Sequence, residues 1–350
     1  MEKQLSISSE ELKELQRFKK LYGTEEDNQD VVDFFYKVFL YAYLNDNEDV
    51  KFFVKRFNEI KEKDKGFHLS RERDYERMSF YNPIYKKIFV YKGKIDNHDE
   101  AILFHEGMHL FHEYSSLQSQ EPREYEKYRE KAFTQIMNNK ESILKETSKI
   151  KINYEEFLKK AREYVYKNSI IKAGANNVED YINKEKNKYE ELIQKKDIYH
   201  DLLAMGLNHK NAIALNTKSL NEELTTHELL YTYIQQVYQE KIDDYINALE
   251  PEYIAYEGFL GAILQGEQQE EFLIVYGHKR EYFQNDRENG FKEVLAHYSE
   301  LKNTPEGQKW LDILKNQIGE EFLNYIDLIY SIILTNPYDL SLESENKMVL

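Results

Sequence analysis

The first part of the chain places apolar and polar residues at the spacing of amphipathic helices. The segment "SSEELKELQRFKKLY" opens with Ser9 followed by glutamates, which is typical of a helix N-terminus. The segment "VVDFFYKVFLYAYL" is apolar enough to form a core helix, and the charge run "NEIKEKDKG" ends the pattern. The pattern predicts a helical N-terminal region over residues 1–70.

A different pattern appears in "KKIFVYKG", residues 86–93, which is β-branched and aromatic and ends on a glycine. These features predict a β-strand. Asn97 and, three residues later, Glu100 then fit a capping box, so we expect a helix to start there. The strand should form the edge of a short sheet beside that helix, where it can bind an extended peptide by strand addition.

Residues 114–245 are mostly helical in pattern and highly charged, whereas alanine and glycine stand among aromatic residues from 246 onward. Small residues placed among aromatic ones suit helices that pack closely together. Only 5 prolines and 13 glycines occur in 350 residues, which further favours helices. The fold class predicted is therefore mainly α with a small β-sheet (α+β).

Charge and cysteine content exclude several kinds of partner and site. The net charge of −16 argues against nucleic acid and anionic lipid as partners. The chain has no cysteine, so disulfides, thiolate metal ligands and cysteine nucleophiles are excluded. The longest apolar run, "FLNYIDLIYSIIL", is too short for a membrane span and carries Asp327. Because the N-terminal segment has no signal-like apolar core, we expect a soluble protein that is cytoplasmic or exported without a classical signal peptide.

The segment "HEGMH" carries the candidate chemistry. On a helix, His105 and His109 lie one turn apart on one face and can direct two imidazole nitrogens to one Zn²⁺ ion. Glu106 lies about 100° around the helix, where it can act as a general base without binding the metal. The alternative is a polar helix with two histidines at the edge of the core. Mn²⁺ or Co²⁺ would also suit two histidines and a carboxylate.

A catalytic zinc site needs a third protein ligand, which must come from elsewhere in the chain. His112 is about 10 Å from His105 along the helix axis, too far to share one ion. Three glutamates remain as candidates, Glu223, Glu257 and Glu293. Glu293 is favoured because Ala296 allows close helix approach and a polar residue follows one turn on, at His297.

Four segments carry a resemblance to a known family: "GFLGAILQGE", "YGHKREYF", "FKEVLAHYSELKN" and "GEEFLNYIDLIY". Together with residues 90–114 they resemble the zincin domain of anthrax lethal factor and related toxin and phage-associated zincins, which are gluzincin metallopeptidases. The resemblance implies that His105, His109 and Glu293 bind zinc and that Glu106 is the base. It also makes His278 and Tyr282 candidates for stabilising the oxyanion.

The function implied is a zinc-dependent metallopeptidase (a hydrolase) acting on a protein or peptide, as a bacterial toxin or effector that can be delivered into a host cell. The implied fold is a zincin-like catalytic domain with a long helical insertion. The predicted divisions are the N-terminal region (1–70), the first catalytic half with the edge strand and HExxH helix (71–115), the insertion (116–245), the second catalytic half with the third ligand (246–335) and a tail (336–350).

A second class of function remains open, a helical binding or scaffold protein whose zinc site is structural or inactive. The two classes differ in the number of protein ligands. An open site with three ligands favours an enzyme, whereas a closed site with a fourth ligand, for instance His278 or His297, favours a structural role. The presence of Glu106 favours the enzyme.

Overall fold

The computed structural model describes residues 7–44, 47–71, 79–96, 99–115, 122–171, 173–246, 248–273, 278, 280–286 and 288–335. These residues form two compact units. Unit 1 comprises Met1–Thr147 and Glu250–Leu350, and unit 2 comprises Ser148–Leu249. The predicted insertion, 116–245, differs from unit 2 mainly at its start, because the described residues 122–147 belong with unit 1.

The described residues are mainly helical, as predicted. The α-helices, in chain order, are α1 (Ser9–Leu21), α2 (Gln29–Leu44), α3 (Glu48–Lys63), α4 (Lys92–Asp96), α5 (Ala101–Glu113), α6 (Pro122–Asn138), α7 (Lys140–Val165), α8 (Val178–Ile193), α9 (Tyr199–Ala204), α10 (His209–Leu220), α11 (Thr226–Ile246), α12 (Pro251–Leu264), α13 (Gln269–Phe272), α14 (Arg280–Asn285), α15 (Asn289–Asn303), α16 (Gly307–Ile318) and α17 (Glu320–Thr335). A π-helix, Tyr166–Ile171, follows α7.

Helices α1, α2 and α3 pack together around aromatic side chains. The N-cap of α1 is Ser8, one residue before the predicted Ser9. Its hydroxyl accepts a hydrogen bond from the amide of Glu11 at 3.2 Å, and the Glu11 carboxylate accepts one from the Ser8 amide at 2.8 Å. Phe18 of α1 meets Phe39 of α2 edge to face, with ring centroids 5.1 Å apart. Such pairs add stability beyond the area that they bury.

The sheet has three strands in the described residues, β1 (His68–Arg71), β2 (Phe80–Asn82) and β3 (Lys87–Val90), in the order β1-β3-β2. β3 is parallel to β1 and antiparallel to β2. The strand predicted in "KKIFVYKG" is therefore confirmed, but its predicted edge position is wrong. It is the central strand, and among the described residues β2 pairs with a strand on one side only, which we call its open edge.

Helix α5 carries the HExxH motif and contacts aromatic side chains of α3. A Cβ atom on Gly107 would lie 3.0 Å from the Phe53 ring, so the glycine leaves room for this ring. Phe53 also contacts Phe111 of α5, with ring centroids 4.9 Å apart. The predicted capping box is wrong in one part, because α5 starts at Ala101, so that Glu100 is itself the N-cap residue and makes no side-chain capping bond. Asn97 lies outside the described residues.

Helix α15 packs against α5, the helix that carries the motif, and also against α12. The close packing predicted from alanine and glycine in the segment after residue 246 is found here. A Cβ atom on Gly258 of α12 would lie 2.3 Å from the His297 ring of α15. The glycine therefore leaves the space that this imidazole fills.

Unit 2 has two apolar clusters of its own. Helix α11 contributes to both, because Leu230 packs with Val165 and Ile182 in one cluster while the adjacent Leu229 packs with Leu202 in the other. Adjacent residues on a helix point in different directions, so one helix can join two clusters.

None of the helices in the described part of the chain combines the length and apolar character that a membrane span requires.

Candidate metal centre

Two histidines of α5 direct the same ring nitrogen to one point. His105 and His109 are four residues apart, so they lie on one face of the helix. Their Nε2 atoms are 3.1 Å apart. Both side chains are mostly buried, which holds the imidazoles in this arrangement.

Glu293 of α15 completes a group of three donors. Its Oε2 lies 3.6 Å from His105 Nε2, and its Oε1 lies 3.6 Å from His109 Nε2. Ligand atoms bound to one tetrahedral zinc ion at its usual bond lengths lie about 3.4 Å from one another. The distance between the two Nε2 atoms and the distance from each of them to one oxygen of the Glu293 carboxylate are close to that spacing. Among the residues that the structure describes, Oε2 of this buried carboxylate has no hydrogen-bond partner, which is unusual for a buried polar atom. These three residues could therefore hold a metal ion.

The two rival glutamates lie elsewhere in the structure. Glu257 of α12 is fully buried and accepts a hydrogen bond from the Tyr253 hydroxyl. Glu223 is an exposed residue of unit 2. Neither belongs to the groups of possible metal ligands found among the described residues.

Glu106 is buried next to the open edge of β2. The amide of Tyr81 in that strand donates a hydrogen bond to Glu106 Oε2 at 2.6 Å. Burial raises the pKa of the Glu106 carboxyl to about 7. A carboxyl group with a pKa near neutral can both accept and return a proton, as a general base must.

His278 and Tyr282 border the cluster on the Oε1 side of Glu293. The Tyr282 hydroxyl donates a hydrogen bond to Glu293 Oε1 at 2.8 Å, and His278 Nε2 lies 3.3 Å from the same oxygen. Their rings stack, with centroids 3.8 Å apart. The structure therefore brings both predicted residues to the cluster. Burial raises the pKa of Tyr282, so its hydroxyl stays protonated and able to donate.

Sequence reasoning missed Glu300, which lies one helix turn beyond His297 on α15. Its Oε1 is 3.3 Å from His105 Nδ1, and its Oε2 is 2.7 Å from His297 Nδ1. A carboxylate beside Nδ1 favours hydrogen on that nitrogen, so a metal would bind His105 through Nε2, the nitrogen that faces Glu293. The available signal was spacing, because positions 293, 297 and 300 fall on one face of a helix.

The electrostatics of the cluster favour a cation. Burial acts to lower the pKa of His105, but the neighbouring carboxylates of Glu300, Glu106 and Glu293 outweigh it and raise that pKa. Burial lowers the pKa of His109 to about 3, so this imidazole is neutral. Three carboxylates around two ligand histidines attract positive charge, and metal binding at such a site releases a proton.

His112 takes no part in this cluster. It is buried and meets the Phe291 ring of α15 edge to face, with centroids 5.6 Å apart. Burial lowers its pKa to about 4, so it is a neutral packing residue.

No protein-family model, curated protein or solved structure matches the chain. The resemblance to lethal factor therefore stays a prediction, and the function is inferred from the site itself.

Proposed function

We propose that the protein is a zinc-dependent metallopeptidase that hydrolyses peptide bonds in a protein or peptide substrate. His105, His109 and Glu293 are the proposed ligands, and Glu106 is the proposed base. The observation that carries the proposal is the meeting of His105 and His109, whose Nε2 atoms are 3.1 Å apart, with the Glu293 carboxylate, which places one oxygen 3.6 Å from each of these nitrogens. Two imidazoles and one carboxylate are a donor set known for catalytic zinc.

A bound zinc ion supplies Lewis acidity, which polarises a substrate carbonyl and lowers the pKa of a coordinated water. The chain's own residues then supply the proton chemistry. Glu106, with its pKa raised to about 7, takes a proton from the attacking water and passes it to the leaving amine. The Tyr81 amide orients this carboxylate through a bond of 2.6 Å. Tyr282 and His278 are the proposed hydrogen-bond donors to the oxyanion.

The open edge of β2 is the proposed binding surface for an extended peptide. Phe80, Tyr81 and Asn82 of β2 lie opposite residues 89, 88 and 87 of β3. Because backbone groups of an antiparallel strand point alternately to its two sides, the Tyr81 amide that meets Glu106 faces the open edge. A peptide added to that edge would run past the proposed base. The lethal-factor resemblance alone supports the further proposal of a toxin or effector role.

The alternative function, a binding or scaffold protein with a closed structural site, needs a fourth ligand. His278 and His297 both lie near Glu293, at 3.3 and 3.8 Å. The described residues contain two groups of three possible ligands, which share His105: His105, His109 and Glu293 in one, and His105, His297 and Glu300 in the other. Each group has three members, and a site with three protein ligands leaves a fourth position open for water or substrate.

The ligand set is tested by the zinc content of purified wild type and of Glu293→Gln, Glu257→Gln and Glu223→Gln. We expect about one equivalent of zinc in the wild type and loss only in Glu293→Gln. Glu257→Gln is a matched control for a buried carboxylate on a neighbouring helix, and Glu223→Gln is the exposed control. Zinc loss from either control with retention in Glu293→Gln would contradict the ligand set, as would no zinc in the wild type.

Glu106→Gln tests the reaction itself within the same series. The amide cannot accept a proton, so this variant should keep its zinc and lose hydrolysis of a mixed peptide library by at least about 10²-fold. Hydrolysis equal to that of the wild type would exclude Glu106 as the base. Hydrolysis by neither protein, with zinc bound to both, would favour the structural role.

A further inference from the structure

His297 occupies a space that the neighbouring helix leaves for it. Its ring lies against Gly258 of α12, where a Cβ atom would come within 2.3 Å of Nε2 and Cε1. The side chain is mostly buried. Any residue other than glycine at position 258 would displace this imidazole, since the clash involves a ring and not the end of a flexible chain.

The ring also stands between two carboxylates of the cluster. Its Nδ1 lies 2.7 Å from Glu300 Oε2, and its Nε2 lies 3.8 Å from Glu293 Oε2. Glu300 uses its other oxygen for His105 Nδ1, at 3.3 Å. The rings of His105 and His297 meet nearly edge to face, with centroids 4.7 Å apart. His297 thus lies next to Glu300 and Glu293, the two glutamates that face the nitrogens of His105.

We propose that His297 is a positioning residue of the metal centre. The space at Gly258 holds the His297 ring in place, and the ring fixes Glu300. Through Glu300 it keeps His105 in the arrangement that binds the ion. The proposal rests on the proposed metal site and assigns no contact between His297 and substrate. The hydrogen bond to His297 Nδ1 limits rotation of the Glu300 carboxylate, so its other oxygen stays beside His105 Nδ1, at 3.3 Å. The ring also borders Glu293 Oε2, which has no hydrogen-bond partner among the described residues.

The first test is the zinc affinity of the full-length protein, measured by competition with a chelating dye. We expect His297→Ala to bind zinc about 10- to 100-fold more weakly than the wild type. Gly258→Ala should weaken zinc binding similarly, although it substitutes no residue of the cluster, because the added methyl displaces the His297 ring. The absorption spectrum of bound Co²⁺ should change in both variants, because it reports the geometry of the ligands. His112→Ala, which removes a buried imidazole outside the cluster, should match the wild type.

The double variant separates positioning from general packing. In Gly258→Ala with His297→Ala the added methyl meets no ring, so zinc affinity should equal that of His297→Ala alone. Zinc affinity and Co²⁺ spectra that remain those of the wild type in His297→Ala, with only thermal stability reduced, would overturn the proposal. Additive losses in the double variant would also overturn it, since they would mean that Gly258 acts independently of the ring.

A measurement without metal distinguishes this inference from the proposed function. With ¹⁵N-labelled histidine, NMR of the metal-free protein should show a slowly exchanging hydrogen on His105 Nδ1 in the wild type and fast exchange of this hydrogen in His297→Ala, because Glu300 then no longer stays beside it. That result together with no zinc in the wild type would retain His297 as positioning residue and refute the metallopeptidase. Unchanged exchange of the His105 Nδ1 hydrogen in His297→Ala would overturn the positioning role even if the wild type binds zinc.

Discussion

Neighbouring side chains orient individual ligand residues of the candidate site by contacting their nitrogen or oxygen atoms. Glu293 receives the Tyr282 hydroxyl on Oε1 and faces His105 and His297 with Oε2. His105 directs Nε2 to the cluster because Glu300 occupies the other side of its ring. Two of the three proposed ligands, Glu293 and His105, are thus oriented by a further residue, which reduces the rearrangement needed on binding.

Tyr282 is expected to act on the reaction and not on metal retention. Tyr282→Phe removes one donor near Glu293, so we expect kcat to fall by about 10²-fold with zinc content and KM nearly unchanged. The measurement is steady-state hydrolysis of a peptide that the wild type cleaves, with zinc determined in the same samples.

Tyr298→Phe is the matched control, since this buried tyrosine of the same region donates to Asp327 at 2.7 Å and not to the cluster. It should leave kcat within a few-fold of the wild type. Loss of zinc from Tyr282→Phe would instead mean that the hydroxyl supports Glu293 as a ligand and has no role at the oxyanion.

At the scale of elements, the sequence predicts which segments are regular better than it predicts their neighbours. The composition of "KKIFVYKG" identifies a strand, but β2 has only three residues, too few to show an alternating pattern, so the central position of β3 was not foreseen. The common face of His105 and His109 could be predicted from helix geometry, because the two residues are four positions apart. Glu293 could be chosen over Glu223 and Glu257 only from its neighbours in the sequence, because periodicity within one helix does not predict which other helix it packs against. The seat of His297 depends on Gly258 of another helix, which a pattern within α15 cannot reveal.

A buried charge pair attaches β1 to the helices beside it. Lys61 of α3 lies 3.2 Å from Asp27 Oδ2, and Asp27 Oδ1 accepts the amide of Leu69 in β1 at 2.8 Å. Lys61→Met leaves this carboxylate buried without its cation, so the free energy of unfolding should fall by about 3–5 kcal/mol. The measurement is equilibrium unfolding in urea.

The matched control for this pair is Lys86→Met, which removes a half-exposed lysine that pairs with Asp64 at 2.6 Å. Exposed pairs contribute about 0–1 kcal/mol, so the loss should be small. Equal losses in the two variants would show that burial adds nothing to the attachment of β1.

Over the whole molecule, the candidate site belongs to one unit. His105, His109, Glu293, His297 and Glu300 all lie in unit 1, whereas unit 2 has its own apolar clusters. The discontinuous course of unit 1 explains why the ligands are so far apart in the sequence. It also predicts that a bound ion stabilises the two units unequally, because binding energy acts only on the part that unfolds with loss of the site.

Hydrogen exchange followed by mass spectrometry can measure this difference. Zinc at about 100 times its dissociation constant should stabilise unit 1 by about 2.7 kcal/mol, with slower exchange in α5 and α15. Exchange in α8 and α11 of unit 2 should not change, and Glu293→Gln should abolish the effect in unit 1. Equal slowing in both units would mean that they unfold together, so that the ion is linked to the stability of the whole chain and the units are not independent.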